Sequence, residues 1–410
     1  MKTQMAQIRI KLRNHRQSQS LQARVCAVIA AVTLCSAVPA VNAAPPDARA
    51  QAKRIHDRLA GVPPTDAVLT QMEGLINSNG GPTAPGSGVE AAKIAMQNSN
   101  FYSVTLKNFA MPWTNRDQTV FAPLNDYVAT VIGMVRDDEP FNTVLSGDII
   151  YTGNGITPAY STTGNDHYQA MEDQNANLMQ VLTKQTQSSV TGLPAGATAG
   201  VLTTRAGAQA FFIAGTNRAM FRFTMINYMC RDMEQVQETS RAPDRIRQDV
   251  ARSPGGDSRI FLNSCIGCHG GMDPMAQAFA YYNYDETAGK LVYTPGQVQP
   301  KYLINSDNFK TGFVTPDDQW ENRWRAGPNM ALGWSGALPG KGSGAKSLGD
   351  EFGNSEVFAQ CQVEKVFRAV CFRSPATADV SAVDQIVSHF KSGYKLKQVF
   401  AETADYCKGG

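Results

Sequence analysis

The chain has 410 residues, 42% of them hydrophobic, with 38 Lys and Arg against 35 Asp and Glu for a formal charge of +3. That is apolar material for two or three cores, far more than one small domain needs. The near balance of charge excludes the basic surface expected of a nucleic-acid-binding protein.

Residues 1–24 carry Lys2, Arg9, Lys11, Arg13, Arg16 and Arg24 and no acid, and 25–40 is an apolar run. A basic start, a short apolar stretch and the small residues of Val41-Asn42-Ala43 read as a signal peptide (1–43) cleaved after Ala43. The run is too short for a membrane span and no second one follows, so the mature chain is expected to be periplasmic, without stable membrane insertion. A lipid anchor on Cys35 is disfavoured by the bulky Leu34 before it. Cleavage removes six basic residues, leaving 32 against 35 acidic ones, a surface of weak charge that steers partners little.

The expected fold is mainly α. An amphipathic helix over 47–59 stops at Gly61 and Pro63-Pro64, and Thr65 caps a second helix running through Leu75 and Ile76. The stretch "NSNGGPTAPGSG" (77–88) reads as a linker or exposed loop. Helices are expected over 89–98, 124–134 and 167–183, with a short strand or loop in "SGDIIYTG" (146–153). The longest helical pattern, 208–236, breaks near Gly215; its Met220, Met225, Met229 and Met233 are expected to be core filler. Proline and glycine mark a boundary over 243–256, and 289–353 is rich in both, with few helices expected. Three packed helices are expected at the end, over 355–371, 380–391 and 396–406. The organisation is then a helical N-terminal domain (44–240), a loop-rich domain (241–354) and a C-terminal helical domain (355–410), with no internal repeat.

The chemistry lies in "FLNSCIGCHGGMDP" (261–274). Cys265, Cys268 and His269 form C-x-x-C-H, the pattern for covalent attachment of one haem c: two thiols on a tight turn reach both vinyl groups of a porphyrin edge, and His269 binds the iron. Zinc would need a fourth ligand, and no second cysteine pair is near. A thioredoxin-type dithiol needs a strand before the pair and a long helix starting at the first cysteine. Gly270-Gly271 and Asp273-Pro274 are expected to interrupt such a helix within about one turn.

Beyond the leader, Cys230, Cys361, Cys371 and Cys407 remain, enough for two disulfides in an oxidising compartment. If 355–371 is one helix, Cys361 and Cys371 stand about 15 Å apart, beyond bridging. Of the two remaining connectivities, Cys230 to Cys361 with Cys371 to Cys407 is preferred, because it ties the N-terminal region to the C-terminal helices and closes the terminal bundle.

Several segments, "RLAGVPPTDAVLTQM" (58–72), "DDEPFNTVLSGDIIY" (137–151), "AGVLTT" (199–204), "NYMCRDM" (227–233), "CIGCHGGMDP" (265–274) and "SEVFAQCQVEKVFRAVCFR" (355–373), resemble the large planctomycete-type cytochrome c family. Cys265, Cys268 and His269 match its haem motif, and Cys230 and Cys361 fall where it also places cysteines. Cys371 and Cys407 have no counterpart in that pattern, and Met275 stands where it tends to continue with glycine. The resemblance implies a multi-domain periplasmic monohaem protein, often associated with the degradation of complex substrates, and assigns no reaction.

The distal iron ligand separates a carrier from a catalyst. Met330, in the loop "RAGPNMALGW" (325–334), is the candidate thioether; His389 and His167 are the imidazole alternatives, followed by His56. Met272 is too near His269 in sequence to reach across a porphyrin. A backbone carbonyl is expected to hold the second ring nitrogen of His269, Arg323 and Arg325 are candidates for the propionates, and Trp324 or Trp334 for the pocket wall. Asp137-Asp138-Glu139 and Asp317-Asp318 are expected to be helix starts and turns. The function expected is electron transfer to or from an unidentified redox partner, as a carrier rather than an enzyme. The alternatives are a peroxidase- or oxygenase-type haem oxidoreductase with an open iron and a distal His167 or Arg218, and a polymer-binding module feeding the haem.

Overall fold

The computed structural model describes residues 47–213, 215–246, 259, 261–302 and 313–409. The leader with its cleavage point after Ala43, and most of the boundary at 243–256, lie outside the described residues.

Capping residues set the first elements. Asp47 accepts the Ala50 N–H at 2.7 Å to start α1 (Ala48–Ala60), which ends on Gly61 at φ 70°. Thr65 caps α2 (Asp66–Ser78). The Gly- and Pro-rich loop that follows is no linker: the Asp405 carboxylate accepts the Gly86 and Gly88 N–H groups at 2.8 and 2.6 Å, pinning the loop to the C-terminus before α3 (Val89–Ala95). Backbone donors that would otherwise face water find a buried acceptor there.

Helix α4 (Asp126–Arg136) is buried on nearly every side. Its Asp126 carboxylate accepts the N–H groups of Arg205 and Ala206 at 2.6 and 3.0 Å, joining α4 to the start of a later helix, and burial pushes its carboxyl upward. Asp137 and Asp138 lie at the end of α4 rather than at a helix start, paired with Arg136 and Lys397. Strand β1 (Ile150–Gly153) pairs antiparallel with β2 (Leu182–Gln185). The helix expected over 167–183 is therefore only α5 (Asp166–Asp173) and a turn, because its tail serves as the partner strand of β1.

The long methionine-bearing pattern divides into α6 (Arg205–Phe211) and α7 (Arg218–Met229). Met220, Met225, Met229 and Met233 are all in the core. A π-helical turn (Phe261–Cys265) leads into α8 (Ile266–Ala276). Two hairpins follow, β3 (Tyr282–Asp285) with β4 (Lys290–Tyr293) and β5 (Gln319–Glu321) with β6 (Lys341–Ser343). Residues 344–353, in the stretch where few helices were expected, form α9 (Gly344–Gly353); the glycines obscured a helix whose Gly349 and Gly353 lie flush against the backbone of Leu145 and Asn142. The chain ends in α10 (Glu356–Cys371), α11 (Val380–Lys391) and α12 (Leu396–Tyr406).

The fold is mainly α-helical, and the chain from Asp47 onward clusters as one compact unit. One continuous core takes residues from the N-terminal, motif-bearing and C-terminal segments alike. Helix α7 sits at the junction, packing on α10 on one side and on α8 on the other. Cys230 is bridged to Cys361 and Cys371 to Cys407, with Cα separations of 5.4 and 5.7 Å, the two pairs preferred from the sequence. Among the described residues no helix is long and apolar enough to cross a membrane.

Candidate haem-attachment site

Cys265 is the N-cap of α8, and Cys268 and His269 lie in its first turn. At positions i, i+3 and i+4 they share one face of the helix, the arrangement in which two thiols and an imidazole address a single planar ligand. Both cysteines are partly exposed and unbridged, whereas the other four cysteines of the described chain are paired.

The opposite face of α8 is glycine, and it is packed tightly. A Cβ at Gly271 would lie 1.8 Å from Trp324 Nε1; those at Gly267 and Gly270 would meet Gln237 and the Arg241 and Glu238 backbone at 3.4 to 3.8 Å. The helix therefore runs through Gly270-Gly271 and includes Pro274, contrary to the interruption expected from propensity. Proline falls in the last turn, where only Met275 and Ala276 follow, and close backbone approach replaces the missing side-chain contacts.

This correction removes the helix argument against a thioredoxin-type dithiol, but another stands: the segment entering α8 is a π-helical turn and not a strand. Among the described residues, no three His, Cys, Asp or Glu side chains converge as a site for a bare metal ion.

His269 Nδ1 lies 3.2 Å from the Asp273 carboxylate, one turn along α8, in place of the expected backbone carbonyl. Asp273 has a fully buried side chain and also takes the Arg218 guanidinium, with Nε at 3.1 Å and Nη2 at 3.3 Å. Iron coordination by this imidazole would thus use Nε2. Arg218 lies behind His269 rather than across from it.

Met330 is 62% exposed in the 3-10 turn Pro328–Leu332. That turn is fastened beside the motif: Asn329 Nδ2 donates to Val236 O at 2.8 Å, and Glu238 N donates to Gly267 O at 2.8 Å. Gly327 reaches φ 77° with its hydrogen against Glu238, where a Cβ would come within 2.1 Å of Oε1. Leu262, 54% exposed, is a second exposed apolar side chain, three residues before Cys265 in the chain. The partly exposed thiols, the imidazole oriented by Asp273 and these apolar groups fit a thioether-bound porphyrin.

The other candidates are engaged elsewhere. His167 Nδ1 donates to Pro158 O at 2.7 Å and Nε2 accepts from Gly153 N at 2.8 Å, so both ring nitrogens serve the β1 region. His56 Nδ1 bonds Val62 O at 2.8 Å in the α1 turn, and His389 pairs with Glu402 at 3.0 Å on α11 and α12. Arg325 is forked onto the buried Glu351 at 2.8 and 2.7 Å, and Arg323 pairs with Asp244 and Glu321, so both arginines brace the loop instead of standing open for propionates. Trp324 is fully buried against Phe221 and α8, and Trp334 Nε1 donates to Trp324 O at 3.0 Å; the pair backs the motif helix.

Sequence reasoning missed Asp273, and it named Arg218 for an open distal face, whereas Arg218 contacts Asp273. A His-x-x-x-Asp spacing on a helix carries the signal for the first, and it goes unread once the helix is taken to end at Gly270. Compared with protein-family models, curated proteins and solved structures, the chain matches none.

Proposed function

We propose that the protein is a periplasmic monohaem c-type cytochrome that passes electrons to or from a redox partner, with haem c attached through Cys265 and Cys268 and its iron bound by His269. The observation carrying this reading is the division of the cysteines: four form two bridges, while the two of C-x-x-C-H remain thiols on one helix face with the imidazole. The likeness of "CIGCHGGMDP" to the planctomycete-type cytochromes supports it. Two disulfides, the absence among the described residues of a membrane-crossing helix and the basic, apolar leader support a periplasmic site.

When bound, haem c supplies a one-electron iron couple. The chain fixes it: Cys265 and Cys268 anchor the porphyrin edge, His269 presents Nε2, Asp273 sets the ring orientation, and the glycine face locks α8 against Trp324. Met330 is proposed as the distal ligand, on a turn fastened to the strap that bonds Gly267. A catalytic reading needs a polar distal group, and the two named for it, His167 and Arg218, are committed to backbone and to Asp273.

The test uses full-length protein matured in a host that attaches haem c. The expected product is coloured, keeps its pigment through acidified organic extraction and, oxidised, shows the weak far-red charge-transfer band of methionine ligation. Cys265→Ala with Cys268→Ala loses the covalent pigment, and Met330→Ala loses the band. A colourless wild-type protein sinks the haem reading; a high-spin spectrum without the band replaces the carrier with an open-iron enzyme.

A further inference from the structure

We infer that Asp273, clamped by Arg218, is a positioning residue that strengthens His269 as an iron donor and so lowers the reduction potential of the bound haem. This rests on the haem reading above and goes beyond it, since attachment and coordination need only Cys265, Cys268 and His269.

The geometry comes from α8 and α7 together. Asp273 is four residues after His269, so its carboxylate reaches back along the same helix face to Nδ1 at 3.2 Å. Its side chain has no exposure, so water cannot take its place. Arg218, the first residue of α7, contacts both carboxylate oxygens, at 3.1 and 3.3 Å, which fixes the group.

A carboxylate accepting the Nδ1–H draws that proton toward itself and makes Nε2 a stronger, more anionic donor; a neutral carbonyl does so less. Ferric iron carries one more positive charge than ferrous iron and gains more from such a donor. Burial enlarges the difference, because little solvent screens it. Arg218 offsets part of the charge at long range, but the hydrogen bond acts at the ligand atom itself. The iron is thereby biased toward the oxidised state, and the protein toward giving its electron to an acceptor of higher potential.

The experiment is a spectroelectrochemical titration of the matured full-length protein with small-molecule mediators, alongside haem content by pyridine haemochrome. Asp273→Asn is expected to raise the ferrous-to-ferric ratio at fixed potential at least tenfold, a shift of about 59 mV for one electron. The double variant Asp273→Asn with Arg218→Gln removes both charges and is expected to shift in the same direction, because the hydrogen bond to a carboxylate is lost in both. Haem content at the wild-type level with no shift in the double variant overturns the inference and leaves the haem reading intact.

The wild-type protein gives a reading that needs no variant. Its ferrous iron–imidazole stretch, measured by resonance Raman after photolysis of the carbon monoxide adduct, is expected above that of a neutral imidazole–haem complex. A stretch at the neutral value overturns the inference even if the variants do not fold. Wild-type protein without haem overturns the underlying reading and this inference with it.

Discussion

The C-terminal helices α10 to α12 and the motif helix α8 belong to one core and are stabilised by opposite means. Helix α10 begins on Ser355, whose hydroxyl accepts from Phe358 N, and buries a regular apolar stripe that includes Phe358, Val363, Val366 and Phe367. A bridge from its last residue to Cys407 then closes the bundle. Helix α8 has no side-chain cap, and its eleven residues include Gly267, Gly270, Gly271 and Pro274. Each interior glycine costs about 1 kcal/mol relative to alanine and an interior proline about 3, so this sequence does not form a helix by itself. Its neighbours hold it, through Trp324 on Gly271, Glu238 on Gly267 and Arg218 on Asp273. The functional residues thus ride on the element least able to stand alone, where small faces let the backbone approach closely and leave the reactive face outward.

The largest expected effect tests the covalent side of this contrast. Cys230 with Cys361 closes a span of 131 residues and joins the end of α7 to α10, whereas Cys371 with Cys407 spans 36. Replacing the first pair by alanine is expected to cost about 5 kcal/mol, and the second about 1 kcal/mol less, from the logarithmic dependence of closure entropy on loop length. Guanidinium unfolding followed by circular dichroism reads both. Equal losses would mean that the longer bridge acts through local packing and not through chain closure.

Next in size is Gly271→Ala. In an ordinary helix this change helps, but the new Cβ would sit 1.8 Å from the Trp324 indole, which is fully buried between Phe221 and α8. Overpacking of this kind is expected to cost about 1–3 kcal/mol and to lower the midpoint of unfolding. Trp324→Phe in the same chain should return part of the loss. If Gly271→Ala is neutral on its own, α8 is not held by close approach to Trp324.

The same contrast explains what could be read in advance. The C-terminal helices, the caps at Asp47 and Thr65, the break between α6 and α7 and the strand at Ile150–Gly153 follow from local rules of capping, periodicity and glycine or proline stops. A straight α10 also kept Cys361 from Cys371, which left two connectivities, of which the preferred one is the one observed. What escaped depended on partners distant in the chain. Helix α9 and the length of α8 rest on glycines pressed against other backbones; β2 exists because β1 is there to pair with it; the loop at 79–88 is ordered by Asp405. The candidate attachment residues were chosen from spacing alone, whereas Asp273, the place of Arg218 and the bracing roles of Arg323 and Arg325 required knowing which helices meet.

The smallest expected effect is the mirror image of the Gly271 result. Gly74 lies in α2, exposed, with helical backbone and nothing within 4 Å of where a Cβ would stand. Gly74→Ala has no neighbour to displace and reduces only the freedom of the unfolded chain, so it should stabilise by about 0.5–1 kcal/mol. One substitution of the same chemistry is then expected to change sign between two helices of one core. The sign is set by what faces the added methyl group, open water at Gly74 and the edge of an indole at Gly271. Measured side by side in guanidinium, a destabilising Gly74→Ala would show that α2 is not the freely solvated helix its surroundings describe, and the argument that α8 differs from it in kind would lose its reference.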